Sequence, residues 1–429
     1  MSALGFTIEI FQNEYLPAGA GEVNAIVTVT SAGSTAPGPP ATPGAAEIII
    51  VDCSGSMSDP RTKMIQARQA TAAAIDAIRD GVAFAVVAGT HEARQAYPDN
   101  GLMIADAATR KTAKRAVERL YPHGGTAIGQ WLRLARELFE TGEETLRHAI
   151  LLTDGQNLHE STEELAAAIK LCEGYFSCDC RGVGTDWLVD ELRTISTALL
   201  GTVDIVPDPA GLTADFEAMM TASMAKEVAD VVLRVWTPQH ATIRFVKQVA
   251  PAIEDLTARR TPAAPQAGDY PTGAWGTESR DYHACVDVEP GAVGQEMLAA
   301  RVSLILNTTS GPQTLGQGLV RAIWTEEEVL STRINRHVAH YAGQAELAQA
   351  IQDGLDARKA GDDDAAAAKL GRAVALAHES GNQGTANLLA SVVDVIDPST
   401  GTVRLKARIV NADEMALDTR SSKTVRVKK

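Results

Sequence analysis

Two hydrophobic rhythms divide the 429-residue chain. From Ala45 to about Ser223, short unbroken apolar runs alternate with amphipathic stretches. AEIIIVD, VAFAVVAG and HAILLTDG have the length of strands buried on both faces. YFSCDCRGVG and VDIV predict two more strands. Between them, helices are predicted over Lys63–Arg79 (Ile65, Ile75 and Ile78 inward), Thr109–Leu120, Ala127–Phe139, Glu163–Cys172, Trp187–Leu199 and Leu212–Ala225. Such alternation implies an α/β doubly wound, mostly parallel sheet with helices on both faces.

From Asp230 the period becomes two. VVLRVWT, ATIRFVKQV, HACVDVEP, MLAARVSLIL and LGQGLVRAIWT predict about five strands. Phe6–Phe11 and Glu22–Thr30 predict two more near the start, too few to stand alone, so they are expected to complete a sheet made by later sequence. SAGSTAPGPPATPGAA has the composition of a linker. The expected architecture is an α/β domain at 45–224 inserted in a β-sandwich built from 1–44 and 225–325.

Residues 326–395 turn helical and predict a C-terminal helical hairpin. Glu326–Ala360 reads as one helix or two, followed by Asp362–Ser380 and Thr385–Val393. Residues 396–429 are left as a tail. Its last eleven residues hold five Lys or Arg and no acid. They also hold Thr419, Ser421, Ser422 and Thr424, and the tail is read as flexible, with Thr419 and Thr424 as phosphorylation candidates.

Composition narrows the partners. Aromatics make up 4% of the chain, so its cores are built from Val, Ile, Leu and Ala. A net charge of -15 lacks the basic footprint of a nucleic-acid binder. No apolar stretch reaches the ~20 residues of a membrane span. MSALGFTIEIFQNEYL has no basic region leading into an apolar one, so no secretory signal is expected. With an odd count of five cysteines, this implies reduced thiols and a cytoplasmic setting. Cys172, Cys178 and Cys180 are not at a usual zinc spacing. Cys178 and Cys180 share one face of a strand and are expected to be buried small apolar residues.

The candidate chemistry lies in VDCSGSM, at the C-terminal end of a predicted buried strand, where open α/β sheets bind ligands. Asp52, Ser54 and Ser56 put one carboxylate and two hydroxyls on a tight loop, and Gly55 permits the turn. HGGTAIG adds Thr126 on a glycine-rich loop, and LLTDGQN adds Asp154 at another strand end. Hard oxygens on short loops suit Mg²⁺, with Mn²⁺ or Ca²⁺ also acceptable. His91, His123 and His159 are expected on the rim, Met57 beneath the loop, and Asp186 as a helix cap. Cys53, next to Asp52, faces away from it by alternation.

D-x-S-x-S, then an isolated Thr, then T-D-G, resembles the metal-ion-dependent adhesion site of von Willebrand factor A domains, over roughly Ala45–Ser223. The resemblance implies a doubly wound sheet with one antiparallel edge strand. It implies a divalent cation held by Asp52, Ser54, Ser56, Thr126 and Asp154, whose open position accepts an Asp or Glu of a protein partner. The wider chain resembles bacterial, actinobacterial-like multidomain members. For intracellular members of that kind, the resemblance implies ATPases, or kinase and phosphatase signalling proteins, as partners. The expected function is therefore a non-enzymatic, cation-dependent interaction module in complex assembly or signalling. A metal-dependent hydrolase and a scaffold with incidental metal are the alternatives.

Overall fold

A computed structural model describes residues 4–33, 44–308 and 311–427. Residues 34–43, the middle of the expected linker, lie outside the described residues. The chain divides into two units. One comprises Met1–Pro39, Asp230–Ile409 and Arg420–Lys429, and the other Pro40–Ala229 and Val410–Thr419. The first unit opens with strands β1 (Leu4–Gln12), β2 (Tyr15–Pro17) and β3 (Glu22–Gly33).

The second unit is α/β. Its strands are β4 (Ala45–Asp52), β5 (Ala83–Gly89), β6 (Ala93–Tyr97), β7 (Met103–Ile104), β8 (Leu146–Thr153), β9 (Ser177–Val183) and β10 (Val203–Val206). Its helices are α1 (Thr62–Ala77), α2 (Ala107–Val117), α3 (Ile128–Glu140), α4 (Thr162–Cys172), α5 (Val189–Ala198) and α6 (Leu212–Met224). The sheet order is β10-β9-β8-β4-β5-β6, with β7 also on β5. β4, β5, β8, β9 and β10 are parallel, while β6 and β7 run antiparallel to β5. The polar, half-exposed β6 carries no apolar run, so the hydrophobic pattern does not reveal it.

The chain leaves β4 toward β5 on one side and returns to β8 on the other. The C-terminal edge of β4 is thus a topological switch point, where crevices form. Ile49, Val51, Phe84, Val86, Ile150 and Leu152 meet Ala67, Ala70, Ala74 and Ile75 of α1 and Phe216 and Met220 of α6 in one core. Ile65 does not join them and is 48% exposed. The buried stripe of α1 runs through Met64, Ala67, Thr71, Ala74 and Ile75, and Ile65 lies one residue, about 100° of helical rotation, off it. Small residues bring α3 close: a methyl on Gly89 would lie 2.4 Å from the Trp131 ring.

The first unit resumes at Asp230, within β11 (Val228–Trp236), and continues with β12 (Ala241–Ala250), β13 (Glu254–Asp255), β14 (Thr261–Ala264), β15 (Ala267–Trp275), β16 (Ser279–Val288), β17 (Glu296–Thr308) and β18 (Gly311–Thr325). Its sheets are ordered β1-β3-β16-β12-β13 and β14-β15-β11-β17-β18-β2. β3 pairs with β16 through Val27 and Tyr282, so the early strands complete a sheet made by later sequence. β15 escapes the pattern because its Gly and Pro read as a turn. Helices α7 (Glu328–Ser331), α8 (Arg336–Lys359), α9 (Asp363–Ser380) and α10 (Gln383–Val392) follow. Of the two readings of Glu326–Ala360, one helix or two, the structure has two, α7 and α8, separated at residues 332–335.

The expected flexible tail is a correction. After the hairpin β19 (Val393–Asp397) and β20 (Thr402–Leu405), α11 spans Asn411–Arg420. Thr419 is buried in α11 and its hydroxyl donates to the Met415 carbonyl at 2.8 Å. Ser421 is also buried. Thr424 donates to the Val249 carbonyl at 2.6 Å. Arg426 gives two hydrogen bonds, 2.9 and 2.7 Å, to the buried carboxylate of Asp281. The basic residues of the tail thus include a partner for a buried acid, which composition cannot reveal. Among the described residues no helix is long and apolar enough to cross a membrane.

Candidate metal centre

Three loops meet at the C-terminal edge of the parallel sheet. The register aligns Asp52 with Gly89 and Val51 with Leu152, so β4, β5 and β8 end level. After β4 the chain makes a short 3₁₀ turn, Gly55–Ser58, over the buried Met57. Backbone hydrogen bonds lace the loops together. Gly55 N–H donates to Gly124 O at 3.0 Å and His123 N–H to Cys53 O at 2.7 Å. His159 N–H donates to Thr126 O at 3.0 Å.

All five residues predicted for the centre come together here. Ser54 and Ser56 hydroxyl oxygens are 2.9 Å apart. Ser56 donates to Asp154 Oδ1 at 2.6 Å. A methyl built on Gly155 would lie 3.1 Å from Ser56 Oγ and 3.4 Å from Thr126 Oγ1, so both hydroxyls converge on that glycine. Asp52 accepts from Ser54 N–H at 2.7 Å and from Thr153 Oγ1 at 2.5 Å. Burial lifts the Asp52 carboxyl to about 6, although the hydrogen bonds from Ser54 and Thr153 pull it down.

Among the described residues no group of three or more His, Cys, Asp or Glu is placed to hold a metal. A cation held here would draw on hydroxyls as well as the two carboxylates. That donor set, gathered around a glycine that leaves the space open, fits a small hard divalent ion.

Pattern reading missed three contributors. Thr153 holds Asp52, Gly155 keeps the centre clear, and Lys63 reaches Asp154. Lys63 Nζ lies 2.7 Å from Asp154 Oδ2 and 3.4 Å from Asp186 Oδ2. Asp186 therefore pairs with Lys63, and the cap position of α5 is Leu188 instead. Burial alone draws the Lys63 ammonium down, but Asp154 and then Asp186 outweigh it and leave its pKa raised. A lysine on the buried stripe of α1 was the available signal.

His91 and His159 lie on the rim against the paired glycines. Methyls on Gly124 and Gly125 would collide with them at 2.3 and 2.1 Å. Nδ1 of His159 accepts from Thr126 N–H at 3.1 Å, which bolsters the loop. His123 instead contacts Tyr121 O at 3.1 Å and stacks on its ring. Cys53 is buried, its thiol pushed up to about 12 by burial and by the Asp52 charge. A thiol so held is a poor nucleophile. Cys172, Cys178 and Cys180 are free and buried, as their apolar reading requires.

A family model described as von Willebrand factor type A domain matches residues 46–205. A model described as von Willebrand factor type A C-terminal domain matches residues 375–421, from within α9 through α11. A von Willebrand factor type A structure from Catenulispora acidiphila is 53% identical, with a TM-score of 0.95 over 99% of this chain and 98% of that one. The ArnB paralog VWA2 from Sulfolobus acidocaldarius shares the fold, at 11% identity and a TM-score of 0.60 over 99% of this chain and all of that one. An uncharacterized protein of Synechocystis sp. is 26% identical over 220 residues, 49% of this chain. The match spans about half the length of that curated relative (50%).

Proposed function

The chain belongs to the von Willebrand factor type A family, and we propose that it is a divalent-cation-dependent interaction module that grips an acidic residue of a protein partner. The observation that carries this reading is the convergence of Ser56 and Thr126 hydroxyls on Gly155, beside Asp154. Asp52, Ser54, Ser56, Thr126 and Asp154 would hold the cation, Mg²⁺ or Mn²⁺. When bound, the cation would supply an open coordination position that a partner carboxylate oxygen can fill.

The protein's own residues do the rest. Thr153 and the Ser54 amide orient the Asp52 carboxylate, and Ser56 orients Asp154. Exposed Tyr121 and Leu158 sit on the loops that carry Thr126 and Asp154. They favour a partner segment with apolar residues beside its acid. The buried, weakly acidic Cys53 argues against covalent catalysis, and the reading is of a binder. Its working place is proposed as the bacterial cytoplasm, in complex assembly or signalling, with an ATPase or a kinase or phosphatase as the partner the family resemblance implies.

The other unit is proposed as a β-sandwich carrying a helical hairpin. Phe6 of β1 meets Trp275 of β15 edge to face at 5.7 Å, and Ile8 and Ile10 of β1 pack toward Gly316 and Gly318 of β18, which supports two sheets facing each other.

Titration calorimetry of Mg²⁺ and Mn²⁺ into the full chain and into Asp52→Ala tests the central proposal. One ion bound by the wild type and lost in the variant is the expected result. A wild type that binds neither ion overturns it. A partner captured from lysate irrespective of chelator would favour a scaffold.

A further inference from the structure

We propose that Lys63 is a specificity-determining residue of the centre: a fixed internal cation that loosens its hold on the metal and supplies the positive charge that captures a carboxylate. This rests on the reading of the centre as a metal site.

The geometry is that of a built contact. Lys63 and Asp154 side chains are 8% and 0% exposed, and Nζ lies 2.7 Å from Oδ2. The other oxygen of Asp154 accepts from Ser56 at 2.6 Å. Asp154 thus shares its charge between Lys63 and whatever else it holds.

Charge counting gives the consequence. Asp52 and Asp154 together cancel a divalent cation, and such a centre would hold a partner carboxylate by coordination alone. Lys63 restores one positive charge inside a buried site, where charges are poorly screened. Its second partner, Asp186, is 72% exposed at 3.4 Å. Solvent weakens that counter-charge, so most of the Lys63 charge stays with the centre. The same charge repels the incoming cation. Lys63 therefore trades metal affinity for anion affinity.

A merely structural lysine would move both affinities together or neither. The trade predicts opposite movements. Mn²⁺ is titrated into full-length wild type, Lys63→Met, Lys63→Arg and Asp186→Asn, followed by water-proton relaxation. Acetate is then titrated into each Mn²⁺-loaded protein. Lys63→Met should bind Mn²⁺ roughly tenfold more tightly, the equivalent of about 1.4 kcal/mol, and acetate at least about threefold more weakly. Lys63→Arg should stay near wild type in both.

Asp186→Asn changes an exposed residue and serves if Lys63→Met fails to fold. It should bind acetate more tightly and Mn²⁺ more weakly. Affinities that fall together in folded Lys63→Met, or stay unchanged in it, overturn the proposal. So does an Asp186→Asn that matches wild type where Lys63→Met cannot be made. Wild type that binds no Mn²⁺ overturns the underlying metal reading, and this one with it.

Discussion

Thr153 Oγ1 donates to Asp52 Oδ2 across 2.5 Å, so the residue just before one candidate ligand holds another on the neighbouring strand. Thr153→Val removes that donor and leaves a buried carboxylate oxygen unsatisfied. Stability should fall by about 1–3 kcal/mol in urea unfolding. Mn²⁺ binding should weaken as well, because the Asp52 carboxyl loses a bond that keeps it ionised. Unchanged values in both measurements would show the contact to be idle.

Gly155→Ala tests the open space. Its methyl would lie 3.1 Å from Ser56 Oγ and 3.4 Å from Thr126 Oγ1. Thermal unfolding without added metal should shift by only a few degrees, roughly 1 kcal/mol. Divalent cation affinity should drop at least about tenfold, through crowding of two hydroxyls. Calorimetry on the two proteins separates the effects.

His148 makes stability depend on alkaline pH. It contacts Glu47 through Nδ1 and Asp179 Oδ2 through Nε2 at 3.0 Å. Burial alone would lower its pKa, but the Glu47 charge and the Asp179 hydrogen bond outweigh that and raise it from 6.5 to about 10. A raised pKa stabilises the fold fully below the unfolded value, and the contribution is lost as pH rises through the folded one. Urea unfolding should therefore show stability falling from pH 7 to 10 by roughly 1–3 kcal/mol. His148→Gln should lower stability at pH 7 and flatten that slope.

Arg426 answers a buried charge. Asp281 is 3% exposed and receives Arg426, Thr28 at 2.6 Å and the Tyr341 hydroxyl. Arg426→Met leaves that carboxylate short of its countercharge and should cost about 3 kcal/mol. Adding Asp281→Asn should recover part of the loss. A double variant no better than the single would assign Arg426 to packing alone.

Thr419 and Ser421 should resist modification while the protein is folded. Incubation with a broad-specificity kinase, followed by mass spectrometry, should find phosphate on them only after unfolding. Ready phosphorylation of native protein would mean that α11 opens easily.

Much of the α/β unit was legible in the residues. Apolar runs such as AEIIIVD are strand-length, and their unbroken hydrophobicity demands cover on both faces, so β4, β5 and β8 could be read directly. Asp52, Ser54, Ser56, Thr126 and Asp154 each stand at the end of such a run or before a helix, and their order carried the resemblance. Period and length report local geometry, which the chain encodes locally. Ile65 shows the limit: it is apolar, yet the helix phase turns it to solvent.

Other features depended on neighbours distant in sequence. The β4–β8 register brings Thr153 to Asp52, and α1 carries Lys63 to Asp154 and Asp186. His91 and His159 close against Gly124 and Gly125, and the tail reaches Asp281. A hydrogen bond or ion pair needs two groups within about 3 Å, and that distance exists only once separate elements are packed. Sequence thus marked the candidate oxygens for a cation, while the tertiary structure decided which charge sits beside them.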